Sequence, residues 1–166
     1  MEFLNAFFTA AFDNNIVFAQ LIAIVSVILV AQRPQEAVRM GGLLGIAVAV
    51  AGLIGWPLMG AGKSSEERTR ILRFCTVLAC NAAVLAVPLA NGAVADTLTF
   101  SSALGASLGA GFGLFLAVVL FAFVRNGIDE RLVPHAPRGL PITLITASLM
   151  ALAFTGVVGI AGGLFV

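Results

Sequence analysis

The sequence predicts an all-α integral membrane protein: a polytopic bundle of about five spans, with a degenerate internal repeat and broken helices. Three observations lead there. Of 166 residues, 60% are apolar and 10% are charged, and mean hydropathy is +1.09. A chain of this length forms one domain, 1–166, and as a soluble domain it could not hide that much apolar surface. Five stretches reach the ~20 apolar residues that a crossing needs, and nearly all the charge lies in the short connections between them. The net charge of +1 gives no basic patch for nucleic acid.

The first stretch, about 3–31, is too long for one straight crossing, and Asp13, Asn14 and Asn15 interrupt it near its middle. Its opening, MEFLNAFFTAAFDNN, lacks the positive n-region of a cleaved signal, so it is expected to form part of the first span. The second covers about 40–60, and the third about 71–91, with Asn81 inside it. The fourth covers about 102–124 and the fifth about 140–166. The connections QRPQEAVR, GKSSEERTR, NGAVADTLT and RNGIDERLVPHAPRG are each too short to hold an extramembrane domain.

Gly105, Gly109 and Gly113 recur at every fourth residue, as do Gly159 and Gly163. Small residues at that spacing let helix backbones approach closely, so helix packing is the expected role. Asn14, Asn15 and Asn81 are polar groups inside apolar stretches, where unsatisfied hydrogen-bonding groups are costly. Two readings stand. Each is an interhelical hydrogen bond worth ~0.6–2 kcal/mol, or each marks a helix broken at mid-membrane, as in many transport proteins. Asn15-Ile-Val-Phe-Ala and Asn81-Ala-Ala-Val-Leu-Ala each lead towards a glycine-rich helix, which makes repeat-like halves of about 1–62 and 68–166.

Catalytic chemistry finds little support. Cys75 and Cys80 point roughly 140° apart on a helix and are expected to be packing residues. His135 is the sole histidine and lies in a proline-rich connection, while Glu66–Glu67 and Asp129–Glu130 sit among arginines as solvated pairs. No nucleophile–base pair, metal-ligand spacing or phosphate loop stands out. The expectation is therefore no catalytic residue and no metal site.

The stretch Val124-Arg-Asn-Gly-Ile-Asp-Glu-Arg-Leu-Val-Pro-His-Ala-Pro-Arg-Gly139 resembles the connection before the last helix of the Rnf/Nqr membrane subunits. It continues as Ile142-Thr-Leu-Ile-Thr-Ala-Ser-Leu-Met-Ala-Leu-Ala-Phe-Thr-Gly156, similar to that family's ITLITAGLMALAFMG. Asn14-Asn15-Ile-Val-Phe-Ala-Gln and Asn81-Ala-Ala-Val-Leu-Ala extend the resemblance over most of the chain. It implies membership of a redox-linked, ion-translocating complex in the bacterial inner membrane, with several crossings of that membrane. Its partners would be other integral subunits, a homologous one of inverted topology among them, and lipid. Family members usually have six helices, as two three-helix repeats.

The resemblance also implies a 2Fe–2S cluster held between two subunits by one cysteine in the first helix and another in the fourth. Those positions fall here on Val25 and Ala82, and no cysteine precedes Cys75. Thiolates hold the iron of such clusters, so no cofactor is expected. Between Trp56-Pro57 and Ile71, where the family has another apolar helix, only GAGKSSEERTR connects the second and third stretches.

Losing one crossing disturbs the charge pattern. Five crossings with the N-terminus inside place Lys63, Arg68, Arg70, Arg73, Arg125, Arg131 and Arg138 in the cytoplasm, and Arg33 and Arg39 outside. The six-helix pattern would put all of these on one side. The leading functional expectation is a structural or accessory component of a larger membrane assembly, without catalytic activity alone. The alternative is a small homo-oligomeric ion or solute transporter built around Asn14, Asn15 and Asn81. A third reading is a rearranged cluster on Cys75 and Cys80 with partner ligands.

Overall fold

The computed structural model describes residues 2–19, 24, 27–28, 33–61, 86–87, 99–129, 131–134 and 136–162. Among them the architecture is a helical bundle without strands. Helix α1 spans Glu2–Phe8 and passes into a π-helical turn, Thr9–Asp13. Helix α2 spans Pro34–Ala61, α3 Phe100–Asn126 and α4 Leu140–Gly162. By length and composition, Pro34–Gly55 and Phe100–Asn126 suit a membrane crossing, and Leu140–Gly156 is a shorter apolar helical stretch. At 1.5 Å per residue α3 is about 40 Å long, more than the ~30 Å hydrocarbon core.

One boundary differs clearly from the sequence reading. Helix α2 starts at Pro34 instead of about 40, so most of the connection QRPQEAVR is helical. Proline suits a first helical position because its missing N–H would have no intrahelical partner there, and Arg33 pairs with Glu36 across that turn at 3.5 Å. The first stretch breaks where the sequence places its interruption, because the polar run Asp13-Asn14-Asn15 competes for the backbone. The third stretch lies outside the described residues except for Ala86 and Val87.

Helix α3 is the axis of the bundle and packs chiefly on α2 and α1. Its buried side contributes Ala110, Leu114, Ala117, Val118, Phe121 and Ala122 to the core. Val48 comes from α2, and Ala147 and Phe154 come from α4. Ile16, Val17 and Phe18, just past the break, join them.

Close contacts set the helix directions. Gly105, Gly109 and Gly113 of α3 face Phe3, Phe7 and Ala11 in the same order, so α1 and its π turn run parallel to α3. On α2, Gly41 meets Val118, Gly45 meets Gly111 and Gly52 meets Ser107, so α2 runs antiparallel to α3. Val87 also touches the Gly52 site and is buried there. Helix α4 starts beside the end of α3, where Arg125 Nη1 donates to Thr143 Oγ1 at 2.6 Å. Gly139, at φ 81°, makes the left-handed turn into α4 that a side chain would resist. Further along α4, Phe154 packs on Phe18 with ring centroids 4.6 Å apart, so α4 returns antiparallel to α3.

Candidate functional site

The glycine face of α3 brings two backbones together. A Cβ on Gly105 would strike the Phe3 carbonyl, and one on Gly109 the Phe7 carbonyl. At Gly113 it would lie 2.7 Å from the Ala11 oxygen and 2.9 Å from Asn15 Nδ2. Phe7 and Phe112 pack beside this seam at 5.8 Å. Only glycine leaves room for this approach, and van der Waals contact rewards it in lipid.

At the level of Gly113 the first helix ends. Its last turn is π-helical, and the Asn14 N–H donates to the Thr9 carbonyl at 2.8 Å. Such turns widen the helix by one residue and often mark functional sites. Asn14, with φ −105° and ψ 37°, leaves helical geometry, and its side chain is exposed.

Asn15 is fully buried and uses its whole hydrogen-bonding capacity at the break. Its Nδ2 donates to Ala11 O at 2.8 Å and, across the seam, to Gly113 O at 3.1 Å. Its Oδ1 accepts from Val17 N at 3.0 Å and from Phe18 N at 3.2 Å. The side chain thus replaces the backbone partners that the broken helix gives up, and anchors the break to α3. Chemically this is a neutral, closed network that pins backbone. Four bonds leave Asn15 no valence for a ligand.

The other residues singled out in the sequence are distributed as follows. Gly105, Gly109 and Gly113 meet at the seam with Asn15. Gly159 lies within α4. Asn81, Val25, Ala82, Cys75, Cys80, His135 and Gly163 lie outside the described residues. Among the described residues, no group of three or more His, Cys, Asp or Glu side chains comes together. Sequence reasoning passed over Ser107, which is fully buried and donates to Ala103 O at 2.8 Å. Its signal was its place two residues from Gly105 and Gly109, on a helix whose other polar residues, Ser101, Ser102, Arg125 and Asn126, lie at its ends.

The family model for Rnf-Nqr subunits, which are membrane proteins, matches residues 62–161. The chain belongs to the Rnf-Nqr family. Among its Rnf-Nqr relatives, an ion-translocating oxidoreductase complex subunit of Pasteurella multocida is 40% identical over 114 residues, 68% of this chain and 58% of that protein. The corresponding subunit of Alcanivorax borkumensis is 42% identical over 119 residues, 71% of this chain and 59% of that protein. In both cases the chain spans less than two thirds of the relative's length.

A longer alignment joins it to a subunit of the Na(+)-translocating ferredoxin:NAD(+) oxidoreductase complex of Acetobacterium woodii, 28% identical over 190 residues. That alignment covers 96% of this chain and 98% of the Rnf-Nqr relative. Since 96% of 166 residues is about 159, some 31 of the 190 aligned positions have no counterpart here. That number of positions equals the length of one membrane-spanning helix with its connection.

Proposed function

We propose that this chain is a cluster-free structural component of a larger ion-translocating electron-transport assembly, embedded as a multi-pass protein in a bacterial inner membrane. Its family and the roles that its relatives' names give them support the assembly. The observation that carries the cluster-free reading is the donor set. The two positions at which the resemblance places cluster cysteines hold Val25 and Ala82, and the first cysteine anywhere in the chain is Cys75. Hydrocarbon side chains offer iron no ligand, and the cluster chemistry needs thiolates. The residues present do not fit that group.

The packing supports a structural part. The Asn15 network and the glycine seam spend their polar groups on holding backbone together. The outward face of α2 carries exposed Leu43, Ile46, Val50 and Ile54, and that of α4 carries Leu144, Leu149 and Leu152. Both faces suit lipid or neighbouring membrane helices.

The test is extraction of the full chain from its native membrane in a mild detergent, with identification of the co-purifying proteins and iron analysis of the product. The expected result is co-purification with other integral subunits and no stoichiometric iron on this chain. Iron bound stoichiometrically by this chain would overturn the cluster-free reading. Recovery only as a homo-oligomer would overturn the assembly reading in favour of a small transporter.

A further inference from the structure

The register between α1 and α3 fixes the depth of one ionisable side chain. Gly113 is the central residue of Phe100–Asn126, and it sits against Ala11 and Asn15. Asp13 lies between those two positions, at the last residue of the π turn. If α3 crosses the bilayer, Asp13 is therefore within a few ångströms of the midplane. It is half-buried, and among the described residues its carboxylate makes no hydrogen bond or ion pair.

Among the described residues, the elements packed chiefly against the π turn are α1, α3 and α4. Their charged residues are Glu2 and Arg125, and α4 has none within Leu140–Gly162. Glu2 lies eleven residues back along the helix, about 16 Å away, and Arg125 lies twelve residues beyond Gly113, about 18 Å away. Neither reaches Asp13. A bare carboxylate at that depth is among the most costly groups a membrane protein can carry, and such groups commonly mark ion or proton paths.

We propose that Asp13 is a binding site at mid-membrane for a proton or a small monovalent cation. Either ligand supplies positive charge that, among the described residues, α1, α3 and α4 do not bring to Asp13. The exposed Asn14 side chain beside it, and the carbonyl end of the π turn, make the neighbourhood more polar than the apolar seam below. The inference goes beyond the structural role proposed above, and its readout is a covalent mark on this chain whatever the chain assembles with.

Dicyclohexylcarbodiimide, an apolar reagent that modifies protonated carboxyl groups within membranes, tests it. Membrane vesicles containing the full chain are treated, and the chain is then isolated and mapped by peptide mass spectrometry. The expected result is an adduct at Asp13 in preference to the other seven acidic residues, retained in Asp13→Glu and lost in Asp13→Asn. Sodium chloride that slows labelling several-fold relative to choline chloride at constant pH assigns the site to a cation. Labelling indifferent to sodium but falling as pH rises assigns it to a proton. No adduct at Asp13, in a chain whose thermal transition in detergent shows it folded, would overturn the proposal.

Discussion

Asn15 carries four hydrogen bonds in a fully buried site, and each partner is a backbone group at the break or on the helix beside it. Leucine fills similar space but strands the N–H groups of Val17 and Phe18 and weakens the satisfaction of two carbonyls. A buried unsatisfied group costs ~1–3 kcal/mol, and partial relaxation keeps the total below the sum. Asn15→Leu is expected to lower stability by about 2–4 kcal/mol, read as a fall in the thermal midpoint of the detergent-solubilised protein. Asn15→Asp keeps both acceptors yet turns a carboxylate oxygen towards the Ala11 and Gly113 carbonyls, so it is expected to be at least as damaging. A midpoint unchanged in both variants would show that the network does not hold the break. The sequence marks Asn14-Asn15 as an interruption because two amides stand in an apolar run. Which of the two turns inward depends on the π turn, since one extra residue per turn rotates Asn15 onto α3 and Asn14 away from it.

The same seam can be tested at the level of whole helices. Alanine is the better helix former by up to ~1 kcal/mol, so a glycine in open space should gain from the exchange. Gly156 has nothing within 4 Å of an added Cβ, and Gly156→Ala is expected to be neutral or slightly stabilising. Gly109→Ala places a methyl group into the Phe7 backbone, and forcing α1 away from α3 is expected to cost ~1–3 kcal/mol. Gly111→Ala should act likewise on the other side of α3, where Gly45 and Gly111 pass backbone to backbone. Protease susceptibility of the N-terminal segment, measured beside the thermal midpoint, should rise for Gly109→Ala and stay level for Gly156→Ala. The four-residue glycine spacing on α3 was legible as a packing face. Its partner was not, because α1 lies about one hundred residues away in sequence and carries no matching small-residue stripe.

At the scale of the whole molecule, helix direction bears on the count of crossings. Glu2 and Thr99 lie towards the amino end of α3, and Arg33 and Leu132 towards its carboxyl end. Helix α2 runs from the second end back to the first. With Gly52 level with Ser107, Ala61 comes level with the start of α3. Ala61 and Thr99 therefore lie at the same end of the bundle. This groups Arg33 and Arg39 with Arg125, Arg131 and Arg138, which five simple crossings would separate. Single cysteines at Glu2, Thr99, Arg33 and Leu132, in a background of Cys75→Ala and Cys80→Ala, report the arrangement. A membrane-impermeant maleimide is expected to reach the first pair from one side of the membrane and the second pair from the other. Labelling of Thr99→Cys from the same side as Leu132→Cys would refute it.

Composition and the length of the apolar stretches determined, without any coordinates, that this is a helical membrane bundle, because hydrocarbon rewards apolar side chains and tolerates only self-satisfied backbone. Short motifs, above all Ile142 to Gly156, were enough to point to the family. The tertiary structure decided which groups meet. It put Asn15 on Gly113, ran α1 parallel to α3 and α2 against both, and set Asp13 half-way along the central helix. Those outcomes depend on the register of helices distant in sequence. Register is set by where backbones can approach and where a broken helix finds substitute hydrogen bonds, and no single segment carries that information alone.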